Sequence, residues 1–212
     1  MSTAKISVAK KAINHIEKKL TKHMVLGIGT GSTVNFFIDE LVNFKNHFKG
    51  AVSSSEASTK LLEGHGIEVL SLNDVNELEF YVDGADEVSP ENFLIKGGGG
   101  AHTREKIVAS ASREFICIVD ESKMVQRLGA FPLPIEVIPE SRSLVARKIV
   151  SMGGNPIYRS GFITDQGNQI LDVKDIDISE PEALESMINN IPGVVDNGIF
   201  AFNKPEIVLV SD

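Results

Sequence analysis

Met24-Val-Leu-Gly-Ile-Gly-Thr-Gly-Ser-Thr33 is a short apolar run that breaks into alternating glycines and hydroxyl residues. A run of this length closed by glycine reads as a buried strand, and the pattern that follows reads as a helix beginning at Ser32. Strand, glycine-rich turn and helix open a crossover unit, whose next strand lies parallel to the first. Upstream, Ile6, Ala9, Ile13, Ile16 and Leu20 recur at helical spacing, so a helix precedes the strand.

Downstream the alternation continues. Helices are expected over 32–44 and 56–65, strands around 51–53, 67–70, 80–82, 93–96 and 115–119, and a further helix from Thr103. This predicts an α/β fold, a Rossmann-like, largely parallel sheet with helices on both faces. Past Pro132 the texture changes: strand 135–138, helix 143–152, strand 157–159, a hairpin turn at 165–168, helix 181–190 and strand 198–202. The order βαββαβ predicts a smaller ferredoxin-like α+β domain. With Pro132, Pro134 and Pro139 as boundary marks, the main domain spans 1–128 with 205–212, and the smaller one 129–204.

Composition narrows the function. Across 212 residues the net charge is −8, with no lysine–arginine run, which argues against a nucleic-acid surface. No stretch approaches the roughly 20 apolar residues that span a bilayer, and residues 1–11 lack the apolar core of a signal peptide, so a cytoplasmic protein with no membrane partner is expected. The one cysteine, Cys117, lies in Phe115-Ile-Cys-Ile-Val119 and reads as a buried structural residue.

Three loops carry chemistry. Gly27-Ile-Gly-Thr-Gly-Ser-Thr33 sits between strand and helix, where backbone N–H groups approach an anion and the helix N-terminus favours its charge; Thr30, Ser32 and Thr33 add hydroxyl donors. It is neither a dinucleotide fingerprint nor a Walker loop, and a tight turn needing small residues is the plain alternative. Asp83-Gly-Ala-Asp-Glu87 follows a strand and sets carboxylates at the ligand-binding edge of the sheet, to hold sugar hydroxyls or move protons; an Asx turn or a metal site would use the same residues. No histidine or second acidic cluster completes a metal site. Lys96-Gly-Gly-Gly-Gly-Ala-His-Thr-Arg-Glu-Lys106 spends four glycines between two periodic elements, as if something must lie against the backbone. Glu105, in the first turn of the following helix, is the best general-base candidate, though first-turn acids also serve as helix caps. His102 lacks a metal-spaced partner and is read as a pocket-edge residue.

Taken in this order, Gly29-Thr-Gly-Ser-Thr33, Asp83-Gly-Ala-Asp-Glu87, Lys96-Gly-Gly-Gly and Thr103-Arg-Glu-Lys106 resemble the type A ribose-5-phosphate isomerase family. The resemblance continues through 120–123, Phe131-Pro-Leu-Pro-Ile-Glu-Val-Ile-Pro139 and Ile191-Pro-Gly-Val194, nearly the whole chain. It implies an aldose–ketose isomerase of the non-oxidative pentose phosphate pathway, working on ribose 5-phosphate through an enediolate without metal or nucleotide, as a homodimer or dimer of dimers. It implies Glu105 as the base, Asp83 and Lys96 as catalytic partners, and a substrate contacted by Thr30, Gly31, Ser32, Thr33, Asp83, Gly84, Ala85, Asp86, Lys96, Gly97, Gly98, Gly99 and Lys123. Lys10 or Lys11 is expected to approach the phosphate. The chain departs from the common pattern at Gly100-Ala-His102. Three other readings compete: a coenzyme A transferase using a glutamate nucleophile, a sugar-phosphate sensor domain, and a dinucleotide oxidoreductase with Glu56 as its ribose acid.

Overall fold

The computed structural model describes residues 2–211. Two compact units divide the chain: one runs to residue 84 and takes in 104–123 and the chain from 205 onward, and the other holds 85–103 and 124–204.

The first unit is built on a five-stranded parallel sheet. Its strands are β1 (Val25–Ile28), β2 (Gly50–Ser53), β3 (Leu78–Asp83), β6 (Ser112–Val119) and β12 (Ile207–Val210), in the order β12-β6-β3-β1-β2. Strands covered on both faces read as continuous apolar runs, and all four residues of β1 are buried. Alternation along the strands sorts the two faces. Leu26, Ile28, Phe80, Val82, Ile116 and Ile118 form one core with Ala9, Ile13 and Ile16 of α1 (Ser2–Ile16) and Val34, Phe37, Ile38 and Leu41 of α2 (Ser32–Leu41). On the other face, α4 (His102–Ser110) lies so close to β1 that a Cβ at Gly27 would stand 2.7 Å from Val108 Cγ1. Glycine at 27 is therefore a demand of helix–sheet approach.

Two expected elements are shorter than their apolar patterns suggest. The α-helix at 32–44 stops at Leu41 and finishes as a 3-10 turn over Val42–Phe44, and the strand at 67–70 shrinks to one bridge, Ala51↔Val69, beside α3 (Glu56–Gly64). Ser71 ends the latter by accepting the Asn73 N–H and opening a 3-10 turn.

The second unit carries an antiparallel sheet of β7 (Leu133–Val137), β8 (Asn155–Tyr158), β9 (Gln169–Lys174) and β10 (Val194–Asn197), in the order β10-β7-β9-β8. With α5 (Arg142–Ser151) and α6 (Pro181–Asn189) this is the βαββαβ order that the sequence suggests. The fourth strand lies earlier than the expected 198–202. Ile199 and Phe200 instead form β11, which pairs with β5 (Leu94–Ile95), itself paired with β4 (Glu87–Val88). The chain changes sheets at Asn197-Gly198: the Asn197 carboxamide accepts the Ile199 N–H at 3.0 Å, and a Cβ at Gly198 would collide with the Lys96 carbonyl at 2.2 Å. Because β5 finds its partner in β11, residues 85–103 pack with the second unit, whereas the linear reading assigns them to the main domain.

A buried acid anchors this unit. Glu136, in the middle of β7, is fully enclosed and accepts hydrogen bonds from the Thr103 hydroxyl, the Thr164 hydroxyl at 2.8 Å and the Asn168 amide at 2.9 Å. Among the described residues no helix is long and apolar enough to cross a membrane. Glu136→Ala leaves three donors without their acceptor and opens a cavity, so a loss of roughly 3 kcal/mol or more is expected from urea unfolding.

Candidate active site

β3 ends in Asp83, whose side chain points to the same face as Tyr81 two residues earlier. The Asp83 carboxylate is fully buried and hydrogen-bonded: Oδ1 accepts the N–H of Thr30 at 3.0 Å and of Gly84 at 2.7 Å, and Oδ2 accepts the Tyr81 phenol. The loop after β1 is built around this group. A Cβ at Gly29 would lie 2.0 Å from Asp83 Cγ, so only glycine lets the loop pass. The Gly29 carbonyl accepts the Ser58 hydroxyl at 2.7 Å, and Thr30 Oγ1 lies 2.8 Å from Ser54 Oγ. Gly31, at φ +117°, turns the chain into α2, exposing Gly31 and Ser32 at the helix N-terminus.

A cation reaches that terminus. Lys5 Nζ donates to Ser32 Oγ at 2.6 Å. Lys10 pairs with Glu40 at 3.7 Å, and Lys11 donates to the Val210 carbonyl at 3.0 Å. Lys123 lies in a 3-10 turn beyond β6. The Ser122 hydroxyl, aided by the Ser122 amide and the charges of Lys123 and Lys5, holds the Asp120 carboxyl below the ordinary carboxylate range despite its partial burial. Lys5, the Ser32 hydroxyl and the N-terminus of α2 thus meet at one place on a chain whose net charge is −8.

Glu105 lies in the first turn of α4, buried at 4% exposure. Burial, the Asp83 charge and the Glu105 charge, in that order, push the Tyr81 phenol well above its usual range. The phenol therefore stays a donor to Asp83, and both carboxylates lie within electrostatic reach of one ring. That ring also stacks on its strand partner Phe115, with centroids 4.8 Å apart. Glu56, weighed as a ribose acid, is exposed in the first turn of α3 and pairs with Arg104 at 2.9 Å, while Ser55 caps the helix by accepting the Ser58 N–H.

The second unit holds the remaining candidates. Asp86 Oδ2 accepts the Gly98 N–H at 2.8 Å. Lys96 is buried, its ammonium 5.5 Å above the Phe200 ring. Gly97 has φ +105°, and a Cβ there would lie 2.7 Å from the His102 ring, so the position excludes side chains twice over. His102, expected at a pocket edge, is fully buried with Nε2 3.4 Å from the Asp196 carbonyl. Gly98 and Gly99 are exposed; Gly84 and Ala85, which join the two units, are half-buried. Among the described residues no group of three or more histidine, cysteine, aspartate or glutamate side chains is arranged to hold a metal.

Sequence reasoning missed Tyr81, Ser54 and Lys5. Tyr81 was within reach, since strand alternation puts it on the face of Asp83. Ser54 lies one residue past a strand end in a serine run, and nothing in the sequence distinguishes Lys5 from the other lysines of α1.

Fold and site together define an open-sheet α/β protein whose polar groups gather at the carboxyl ends of its parallel strands, where such sheets bind small ligands. Residues 50–212 match the family model of ribose 5-phosphate isomerase A (phosphoriboisomerase A). The chain is 57% identical over 211 residues to ribose-5-phosphate isomerase A of Legionella pneumophila strain Lens, covering 100% of this chain and 96% of that one. It superposes on the crystal structure of ribose 5 phosphate isomerase A from Neisseria gonorrhoeae with a TM-score of 0.92 at 48% identity, covering 99% of this chain and 92% of that one. A D-ribose-5-phosphate isomerase solved in complex with phospho-erythronic acid gives a TM-score of 0.91 at 37% identity, over 100% of this chain and 95% of that one. The chain belongs to the ribose 5-phosphate isomerase A family.

Because the folded Tyr81 phenol titrates above the unfolded one, its stabilising contribution is complete below about pH 10 and is lost as pH rises from there toward the folded value. The absorbance difference between wild type and Tyr81→Phe is expected to show no phenolate signal past about pH 10 until the chain unfolds.

Proposed function

We propose that this protein interconverts D-ribose 5-phosphate and D-ribulose 5-phosphate, with Glu105 as the general base. Family membership supports the reaction. The observation that carries the residue assignment is the pair of buried carboxylates, Asp83 and Glu105, that bear on one phenol.

In the forward direction Glu105 takes the proton from C2 of the open-chain aldose, and the electron pair of that C–H bond forms the C1–C2 double bond of an enediolate as the carbonyl electrons move onto O1. Returning the proton to C1 re-forms a carbonyl at C2 and gives the ketose. A proton must also pass between O2 and O1, and Asp83 is suited to assist. The hydrogen bonds from Thr30, Gly84 and Tyr81 hold this carboxylate in one orientation, so it needs no rearrangement to act. Lys96 supplies positive charge for the enediolate oxygens, a preorganised contribution of the kind that lowers barriers by several kcal/mol. The phosphate is met by the N-terminus of α2 with Gly31, Ser32 and Thr33, by Lys5, and by Lys123. Thr30, Gly84, Ala85, Asp86 and Gly97 to Gly99 complete the proposed contacts.

The relative solved with phospho-erythronic acid supports this reading. A phosphorylated sugar acid ends in a charged oxygen pair, as an enediolate does. For the assembly we propose a homodimer or dimer of dimers in the cytoplasm, to be read by light scattering of the purified protein.

The deciding experiment is conversion of ribose 5-phosphate by the purified, chelator-treated protein with no nucleotide added. Wild type is expected to turn over and Glu105→Gln to lose about 10²–10⁴-fold in kcat with its fold intact, the usual cost of removing a general base. An active Glu105→Gln enzyme removes Glu105 as the base, and an inactive, well-folded wild type removes the reaction. Lys5→Ala is expected to raise KM by about tenfold with kcat little changed, because a phosphate contact made equally in ground and transition states acts on binding.

A further inference from the structure

Four consecutive glycines carry no side chains to fix their peptide planes; one turn bond, from the Gly100 N–H to the Gly97 carbonyl at 2.9 Å, closes the run on itself, and the N–H groups of Gly98 and Gly99 are left to be directed from outside. In the second unit Arg159, the residue after β8, does this. Its Nη1 donates to the Gly98 carbonyl at 3.2 Å and the Gly97 carbonyl at 3.3 Å, and its Nη2 donates to the Gly97 carbonyl at 3.2 Å. The same guanidinium is braced by Asp172 of β9, which accepts Nε at 2.8 Å and Nη2 through its other oxygen, and lies 5.3 Å from the Phe162 ring. The side chain is 17% exposed.

A trans peptide points its C=O and N–H in opposite directions, and every described peptide bond is trans. Holding the Gly97 carbonyl therefore turns the Gly98 N–H away from Arg159, and that N–H donates to Asp86 at 2.8 Å. Holding the Gly98 carbonyl turns the Gly99 N–H away in the same manner, at a position where even an added Cβ would meet nothing within 4 Å. An ion pair serving only to join β8 to β9 has no need of the loop's carbonyls. The planar fork of arginine can serve a carboxylate and two carbonyls together, which a lysine ammonium cannot.

We infer that Arg159, braced by Asp172, is a positioning residue: it fixes the Gly99 N–H, and through the Gly98 N–H the Asp86 carboxylate, toward the oxygens of the bound sugar phosphate. This rests on the isomerase reading above. A donor and an acceptor aimed at atoms whose charge and protonation change during reaction act on turnover more than on capture of the phosphate.

The test compares wild type with Arg159→Met and Arg159→Lys in three measurements: steady-state conversion of ribose 5-phosphate, thermal unfolding, and amide hydrogen exchange at Gly98 and Gly99. Expected are a fall in kcat of up to about 10²-fold in both variants, the cost of misplacing groups by about an ångström, with KM changed far less and faster exchange at Gly98. Lys retains charge without the fork, so its failure to restore kcat separates positioning from a simple ion pair. In Arg159→Ala, added guanidinium at millimolar concentration is expected to recover part of kcat. If the Arg159 variants do not fold, Asp172→Asn, which loosens the brace at nearly constant volume, is expected to show the same fall in kcat and faster Gly98 exchange. Wild-type kcat and unchanged Gly98 exchange in a folded variant overturn the inference. An inactive wild type whose Arg159→Met variant still exchanges faster at Gly98 sinks the isomerase reading and leaves the clamp standing.

Discussion

The carboxylate of Asp83 is the constraint on which the first unit's strand-end crest depends. One oxygen gathers the N–H groups of Thr30 and Gly84 and the other holds the Tyr81 phenol, so the end of β3 and the loop after β1 meet on one buried anion. Its position dictates glycine at 29, which sets the path of the loop into α2 and brings the Gly29 carbonyl to Ser58. A buried charge is tolerated only when its acceptors are used, and here the hydrogen bonds that satisfy Asp83 are also those that order the loop. Stability and site geometry in this unit are thus one set of interactions.

The second unit solves a related problem with two buried or half-buried acids in its sheet. Glu136 gathers donors from Thr103, Thr164 and Asn168, tying the start of α4 to the hairpin. Asp172 braces Arg159, which in turn holds the carbonyls of a segment that has no side chains of its own. Both acids alternate with the apolar core residues of their strands and so face away from that core, where hydrogen bonds hold them in place.

The chemistry assigned to the site needs a base, a proton path between two oxygens and positive charge near both, all of which side chains supply. The reading as a dinucleotide oxidoreductase loses its ribose acid, since Glu56 is exposed and paired with Arg104. The coenzyme A transferase and sensor readings differ from the isomerase in what Glu105 does, as nucleophile, as base or as neither, and turnover separates them.

The parallel sheet, the βαββαβ module and the three loops were legible because each is written in local patterns: apolar runs closed by glycine, helical spacing, and carboxylates just past a strand. The fourth strand of the module was misplaced because 194–197 is bulged and ends in Asp196-Asn197 while 199–202 is wholly apolar, and the tie between β5 and β11 joins residues about a hundred positions apart. The sequence by itself determined the class of fold and singled out the three loops proposed to carry the chemistry, since backbone conformation and burial follow from neighbouring residues. Only the tertiary structure decided that Lys5 reaches Ser32, that the Tyr81 phenol donates to Asp83, and that Arg159 holds the carbonyls of Gly97 and Gly98. Those choices rest on distances between residues remote in the chain, which no local pattern encodes.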